Sequence, residues 1–600
     1  MNIREYLKSH KMLADGAMGT YYAQKKKNDT AISEYANIES PEMIEEIHNE
    51  YIEAGANLII TNTFAANSIC LNTECSETGQ YIRSGIAIAK RAVESRKDKT
   101  QEVYLAGDVG PIPENGEQTE REILEEYKKI CDIYLEEQLP VILFETFSSL
   151  YYIKKLVSYI REKDKEVFII TTLCTDKNGY TRDGMSIRRL LDELAEMDEV
   201  DAFGLNCGIG SGHMYQLVQE MQELFTKKYF MVVPNAGYPE QFRNRMVFWD
   251  NAEYFAENMK EIAELGVAIL GGCCGTTPEY IKMLKKEFDF SPVQLEEKKA
   301  EPEQNELVVK RKPKKKNKFY EKFSSDRKVV AVELDPPYDA GYEKVMECAL
   351  HLKKCGVDMI TIADSPMGRS RVDSILMSVK IANETGMPVM PHVCCRDKNM
   401  IAMRSGILGA YINKIRNLLI VTGDPVPSVS RNVTTGVFDY HSIRLMRFVK
   451  EMNEEHFADD PFYYGGALNY GRGKLEKVIA RMQEKIDAGA SYFLTQPIYA
   501  DQDIERIRQI KEQLDTKILC GIMPLVSYRN ANFIKNEMTG IYVPDEIVNR
   551  YSPEMSKEEA EWTGAEIANE IIEKLSPFAD GYYFMLPFNR VSLMDKIVVK

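Results

Sequence analysis

The 600-residue sequence has no apolar run long enough to cross a bilayer, and its opening stretch, MNIREYLKSHKMLADG, lacks the apolar segment of an export signal. A chain with neither feature is expected in the cytoplasm, away from membranes. Cysteine is sparse. Twelve across this length cannot build a disulfide scaffold, and in a reducing compartment they would pack, bind metal or react. An excess of basic charge is missing as well. Lys and Arg number 76 against 92 Asp and Glu, and a net charge of −16 repels the phosphates of a nucleic-acid partner. Finally, no GxGxxG follows an early strand and no Walker loop occurs, so the sequence supports neither a standard dinucleotide fingerprint nor a P-loop.

What is present is one pattern, repeated in two parts. Positions 291–326, SPVQLEEKKAEPEQNELVVKRKPKKKNKFYEKFSSD, are dense in Lys, Glu and Pro and read as a charged, solvated linker. Residues 1–290 hold short apolar runs that end in glycine, polar residues or cysteine: MLADGAMGT, LIITNTF, VYLAGDVGP, VILFETF, FIITTLCT, AFGLNCG, FMVVPNAG and AILGGCCG. Amphipathic segments such as PEMIEEIHNEYIEAGAN lie between them. Residues 327–600 repeat this with VVAVELDPP, MITIADSPMG, VMPHVCC, LLIVTGDP, YYGGALNYG, YFLTQPIY, ILCGIMPL and YYFMLPFN. Continuous apolar strands alternating with helices imply parallel sheets covered on their faces. Eight units per part predict two tandem (β/α)₈ TIM barrels, an α/β fold; a doubly wound open sheet is the alternative that strand counting leaves standing.

In such barrels chemistry sits at the C-terminal strand ends. Cys273 and Cys274, in GVAILGGCCGTTPEYI, follow the eighth strand of the first part, and Cys207, in AFGLNCGIGSGHM, ends the sixth. Adjacent cysteines are poor evidence for metal by themselves, because a lone cysteine is usually a buried small hydrophobe. Three thiols on one rim describe a zinc site with an open fourth position. Cys70, Cys75, Cys131 and Cys174 show no such coincidence and read as structural.

The motifs LADGAMGT, AGANLIITNTF, GLNCG, VPNAG and GGCCGTTPEYI make residues 1–290 resemble the homocysteine S-methyltransferase family. The resemblance implies that Cys207, Cys273 and Cys274 bind Zn²⁺, which takes the homocysteine sulfur as fourth ligand and makes it a thiolate, the nucleophile. It also implies that Asp15 and Glu145 hold the amino acid, and that Asn235 occupies the open position when substrate is absent. Read without the resemblance, Asp15 is a turn-former before Gly16 and Glu145 a strand-end ion-pair partner. The methyl donor stays open. It is a sulfonium such as S-methylmethionine, or methylfolate acting through a separate cobalamin protein. The sequence shows no cobalamin module of its own, and DYHSIR, 439–444, has an Asp-x-His start without the glycine expected of a cobalamin loop.

In the second part, Glu333, Asp364, His392, Asp424, Asn469, Gln496 and Arg590 fall on strand ends, although such polar groups often cap neighbouring helices. VAVELDPP, MPHVCC, LLIVTGDP, KIDAGASYFLTQPIY and GIMPL resemble the methylenetetrahydrofolate reductase family over most of 327–600. That resemblance implies FAD bound across the barrel mouth without a Rossmann domain. Glu333 would be the general acid that protonates the folate's bridging nitrogen, so that the methylene carbon opens to an iminium and accepts hydride. Asp424 would lie beside flavin and pterin. His392, Thr422, Gly423, Asn469 and Lys485 would line the flavin, with Lys485 suited to a phosphate, and Gln496 and Arg590 would contact the folate substrate. Thr422 stands where the family often has arginine, an acidic residue common near Val478 is missing, and ADSPMGRSR lacks the tyrosine of some bacterial members. The electron donor is therefore NAD(P)H or a partner electron-transfer protein, such as an iron–sulfur protein.

The resulting expectation is a bifunctional enzyme of one-carbon metabolism. It would reduce 5,10-methylenetetrahydrofolate to 5-methyltetrahydrofolate and methylate homocysteine to methionine. The alternatives are a reductase whose first barrel is a metal-binding assembly or regulatory module, and a purely structural metalloprotein.

Overall fold

The structure is a computed structural model. It describes residues 2–599 except 29–31, 115–117, 226, 239, 243–244, 248–250, 294, 296–314, 316, 325–326, 427–433, 472 and 539. The chain divides into two compact units, Met1–Gln304 and Asn305–Lys600.

In the first unit the barrel strands are Met12–Leu13, Leu58–Ile60, Tyr104–Val109, Val141–Phe147, Phe168–Leu173, Ala202–Gly210, Tyr229–Asn235 and Ile269–Leu270. Every pairing is parallel, and the first strand lies beside the eighth. A bridge between Ala14 and Leu58 joins the first strand to the second, so the sheet closes on itself. Sequence composition explains the strands: Val141 to Phe144 are fully buried, as expected where helices cover the outside and side chains fill the inside. The helices follow from local signals. Pro41 sits in the first turn of Pro41–Ala54, where its missing N–H costs nothing; Ile44, Ile47, Tyr51 and Ile52 form its buried face, and Gly55 at φ 110° ends it. Thr119 and Glu122 form a reciprocal cap on Glu120–Glu136. Ile3 and Leu7, on the opening helix Ile3–Ser9, close the floor against the starts of the strands. A short antiparallel hairpin, Glu240–Phe242 with Arg245–Val247, follows the seventh strand and was not foreseen from the sequence.

The second unit is also a closed parallel barrel, of strands Val329–Leu334, Met359–Ile362, Val389–Cys394, Asn417–Val421, Tyr463–Leu468, Tyr492–Pro497, Lys517–Ile522 and Gly581–Met585. The open-sheet alternative is thereby set aside for both halves. The second floor is plugged by Phe319, on Lys318–Glu321, which packs on Val329 and Tyr492. This corrects the reading of 291–326 as solvated throughout. Asn317 caps the Phe319 helix, and Val293 packs against the first barrel's core, so both described ends of that stretch belong to barrels. Most of its remainder, 296–314, lies outside the described residues. Among the described residues no helix is long and apolar enough to cross a membrane.

DYHSIR has a local role. His441 is the N-cap of Ser442–Glu455, its Nδ1 accepting from the Arg444 N–H at 3.5 Å. This is consistent with reading its Asp-x-His start as coincidence.

Candidate functional site

In the first barrel, Cys207 Sγ lies 3.8 Å from Cys274 Sγ, and the sulfurs of Cys207, Cys273 and Cys274 all fall within 4.8 Å of one another. Backbone geometry brings them there. The sixth and seventh strands lose register between Asn206 and Gly210, Cys207 takes φ 56° and Gly208 φ 76°, and Gly210 then pairs with Asn235. The left-handed turn suits glycine at 208, where a Cβ would collide with the Thr175 carbonyl. The Cys273–Cys274 loop is laced to the same rim. Cys273 N–H donates to the Pro234 carbonyl at 2.8 Å, and Ala236 N–H to that of Cys274 at 2.9 Å. Thr276 Oγ1 donates to the Cys273 carbonyl at 2.7 Å.

Asn235 stands at the end of the seventh strand, buried, with an Oδ1 that has no hydrogen-bond partner. Asp15 accepts the Ile60 N–H at 3.0 Å on Oδ2 and leaves Oδ1 without a partner. Glu145, on the fourth strand, is pushed up to about 8 by burial and by the neighbouring Cys207. The sulfur of Cys207 therefore meets those of the adjacent pair Cys273 and Cys274 across a sequence separation of 67 residues.

Two neighbours were missed. Cys174, set aside on sequence, hydrogen-bonds to Cys207, and hydrogen bonds from Cys174, Cys273 and Cys274 hold the Cys207 thiol far below its ordinary range. The sequence signal was available: FIITTLCT places Cys174 at the end of the fifth strand, next to the sixth. Asp108, in AGDVGP, is buried on the third strand beside Glu145, and burial followed by the Glu145 charge pushes its carboxyl well up.

In the second barrel, Glu333 is half-buried on the first strand. Burial pushes it up to about 7, against the lowering effect of a hydrogen bond from the Tyr583 hydroxyl on the eighth strand. His392 Nε2 lies 3.7 Å from Glu333 Oε2, and burial pushes the imidazole down to about 4, so it is neutral near pH 7. Tyr583 was also missed. In GYYFM only alternate residues face the barrel interior; Tyr583 packs in the core, while Tyr582 donates outward to the Ile572 carbonyl.

Asp424 follows the fourth strand, its Oδ2 accepting the Met367 N–H at 2.9 Å. Arg396, 2% exposed, donates to the backbone carbonyls of Asp424 at 2.9 Å and Ser365 at 3.0 Å, joining the loops after strands two, three and four. Asp397 neutralises it. Asp364 is likewise engaged, accepting the Cys394 N–H at 3.0 Å. Gly423 has φ 96°, and a side chain there would collide with Cys394. Thr422 Oγ1 lies 3.2 Å from Ser442 Oγ and accepts the Ser442 N–H at 3.4 Å, so its hydroxyl serves the start of the next helix. Lys485 donates to the Ala467 carbonyl at 2.7 Å and is pushed down to about 8, chiefly by burial and then by Arg481. The side chains of Asn469 and Gln496 are exposed at strand ends. Arg590 pairs with Glu561 at 3.5 Å and lines a cavity of about 370 Å³ with Tyr528 and Arg529.

A second grouping of metal-type ligands, His351, Cys355 and Asp595, involves an exposed cysteine, and His351 and Asp595 form an ion pair at 3.1 Å.

Residues 12–288 match the family model for Homocysteine S-methyltransferase, and residues 318–598 that for Methylenetetrahydrofolate reductase. The two matches fall one in each compact unit. A Methionine synthase from Mycobacterium leprae is 27% identical over 300 residues, 47% of this chain. The match spans 24% of that relative's length. Among solved structures, the metallated form of a homocysteine methyltransferase from Escherichia coli is 22% identical, with TM-score 0.40, over 48% of this chain and all of that one. Its oxidized form is also 22% identical, with TM-score 0.39, over 46% of this chain and 96% of that one.

Proposed function

We propose that the chain is a bifunctional one-carbon enzyme. Its second barrel would reduce 5,10-methylenetetrahydrofolate to 5-methyltetrahydrofolate, and its first would methylate homocysteine to methionine. The observation that carries the reading is the meeting of Cys207 with Cys273 and Cys274, whose loop is laced to the backbone either side of Asn235, a residue with an unspent Oδ1.

This donor set suits zinc: three soft sulfurs and one neutral oxygen that an incoming thiol can displace. When bound, the ion would supply the Lewis acidity that turns homocysteine into its thiolate near neutral pH. Asp15 and Glu145 would hold the amino acid in register with the metal. The methyl group would come from a sulfonium or from a separate cobalamin protein.

FAD fits the second mouth in part. The orphaned His392 Nε2 and the close backbone approach at Gly423 suit it, while Lys485 donates to the Ala467 carbonyl. Thr422, with its hydroxyl engaged elsewhere, would offer the flavin little. When bound, the flavin would supply hydride. Glu333, half-buried and protonated up to about pH 7, would give its proton to the folate's bridging nitrogen. Neutral His392 beside it adds no positive charge that would strip that proton. Asp424, held by Arg396 and Met367, would fix the pterin side. NAD(P)H or a partner electron-transfer protein would reduce the flavin.

The test supplies purified chain with methylenetetrahydrofolate and reductant, and separately with homocysteine and either S-methylmethionine or a methyl-cobalamin protein. Methyltetrahydrofolate in the first reaction and methionine in the second are expected. Folate reduction with no methionine from any donor, despite bound zinc, would favour a first barrel that serves assembly or regulation.

A further inference from the structure

We propose that Asp108 is a third carboxyl group of the amino-acid subsite, and that with Asp15 and Glu145 it selects thiols carrying a free α-ammonium group. The inference rests on the methyl-transfer reading and adds to it a residue and a basis for specificity.

Two other buried acidic residues of this barrel, Glu34 and Glu126, have both carboxyl oxygens partnered. Glu34 accepts from the Ala65 N–H at 2.7 Å and the Ser33 hydroxyl at 3.2 Å. Glu126 accepts the Ser68 N–H at 2.6 Å and the Ser68 hydroxyl at 2.7 Å. Asp108 and Asp15 differ. They are 3% and 2% exposed, and each keeps an Oδ1 with no partner. A buried polar atom left unpaired is costly and rare, and it marks a place where something else binds.

That something is cationic. The charges acting on Asp15, Asp108 and Glu145 are those of other carboxyl groups and of Cys207, with no cation among them. Asp108 pairs in register with Leu143, two positions before Glu145, on strands whose Ala106 and Leu143 face the barrel core, and Asp15 accepts the Ile60 N–H of the neighbouring second strand. An ammonium group offers three N–H donors to three separate carboxyl groups. The Thr146 N–H, next to Glu145, donates to Asn206 Oδ1, next to Cys207, at 2.8 Å, so the carboxyl cluster adjoins the thiol cluster, and one short ligand with sulfur and ammonium ends spans both.

Asp108 is aimed by its backbone. Its N–H donates to Thr61 Oγ1 at 3.1 Å, and its carbonyl accepts from Tyr134 at 2.6 Å and Thr63 at 3.0 Å. Its backbone is therefore fixed before a ligand arrives, which lowers the cost of ordering the site.

The experiment measures calorimetric binding of homocysteine and of 4-mercaptobutanoate, the same acid without its amine, to the zinc-loaded full chain and to Asp108→Asn. Zinc content of both proteins is determined alongside. Wild type is expected to prefer homocysteine. The isosteric variant should keep its zinc, lose roughly 10–100-fold in homocysteine affinity, and bind the amine-free thiol no worse. Asp108→Glu, which keeps the charge, should retain part of the preference and guards against a folding effect of the amide. A wild-type preference that persists undiminished in Asp108→Asn overturns this inference alone. A wild-type chain that takes up zinc yet binds neither thiol overturns the methyl-transfer reading and this inference with it.

Discussion

The Tyr583 hydroxyl donates a hydrogen bond to Glu333 Oε2 from the adjacent strand of the second barrel. The contact stabilises the carboxylate, while burial stabilises the acid, and burial is the larger effect. The outcome is an acid whose proton is held to about pH 7 and can still be given up there.

Replacing Glu333 by Gln removes the proton and keeps the shape. Folate turnover should fall by roughly 10²–10⁴-fold, while flavin binding and flavin reduction are unchanged. Stopped-flow absorbance separates the two half-reactions. Normal folate reduction in the variant would exclude the acid role.

The pH dependence has a definite sign. Reduction needs protonated Glu333, so its rate should fall as pH rises through about 7. Tyr583→Phe deletes the hydrogen bond that favours the carboxylate, so the Glu333 pKa should rise and the falling limb move to higher pH. A limb that stays in place, or moves down, would assign the titration to another group.

Cys273→Ser should reduce bound zinc well below about one equivalent per chain and abolish methyl transfer. Folate reduction should be untouched, because the second barrel has its own core and its own site. Metal analysis of the purified variant decides; unchanged zinc counts against the ligand assignment.

Arg396→Met leaves the carbonyls of Asp424 and Ser365 without their donor inside the second barrel's mouth. The cost should be about 3 kcal/mol of stability for that barrel, read from denaturant unfolding. Flavin content should fall with it if Asp424 belongs to the flavin site. A neutral effect would mean that the three loops hold their positions without the guanidinium.

Much of this site was legible because its residues stand at predictable points of a repeating pattern. Cys207, Cys273 and Cys274 each follow an apolar run, and in a parallel barrel every such run ends at the same rim. Asp15 and Glu145 came from the family resemblance, whereas the same logic located Glu333 and His392. It passed over Asp108, Cys174 and Tyr583, which also end or line strands, because their side chains become informative only through their neighbours. Asp108 matters because its Oδ1 has no partner whereas that of Glu34 is satisfied, a contrast no spacing encodes. Thr422 sat at the expected place, yet its hydroxyl went to the Ser442 helix start.

The amino-acid order by itself determined two sets of eight buried strands, their amphipathic covers, and which thiols and carboxyl groups stand at strand ends, because alternation and helical periodicity are properties of neighbouring residues. Tertiary structure alone decided that each sheet closes, that Phe319 and Val293 join the barrel cores, and that a bulge after Asn206 turns Cys207 onto Cys174 and Cys274. Those outcomes depend on contacts between residues tens to hundreds of positions apart. Burial, register and an unspent hydrogen-bonding atom come into existence only when such partners meet.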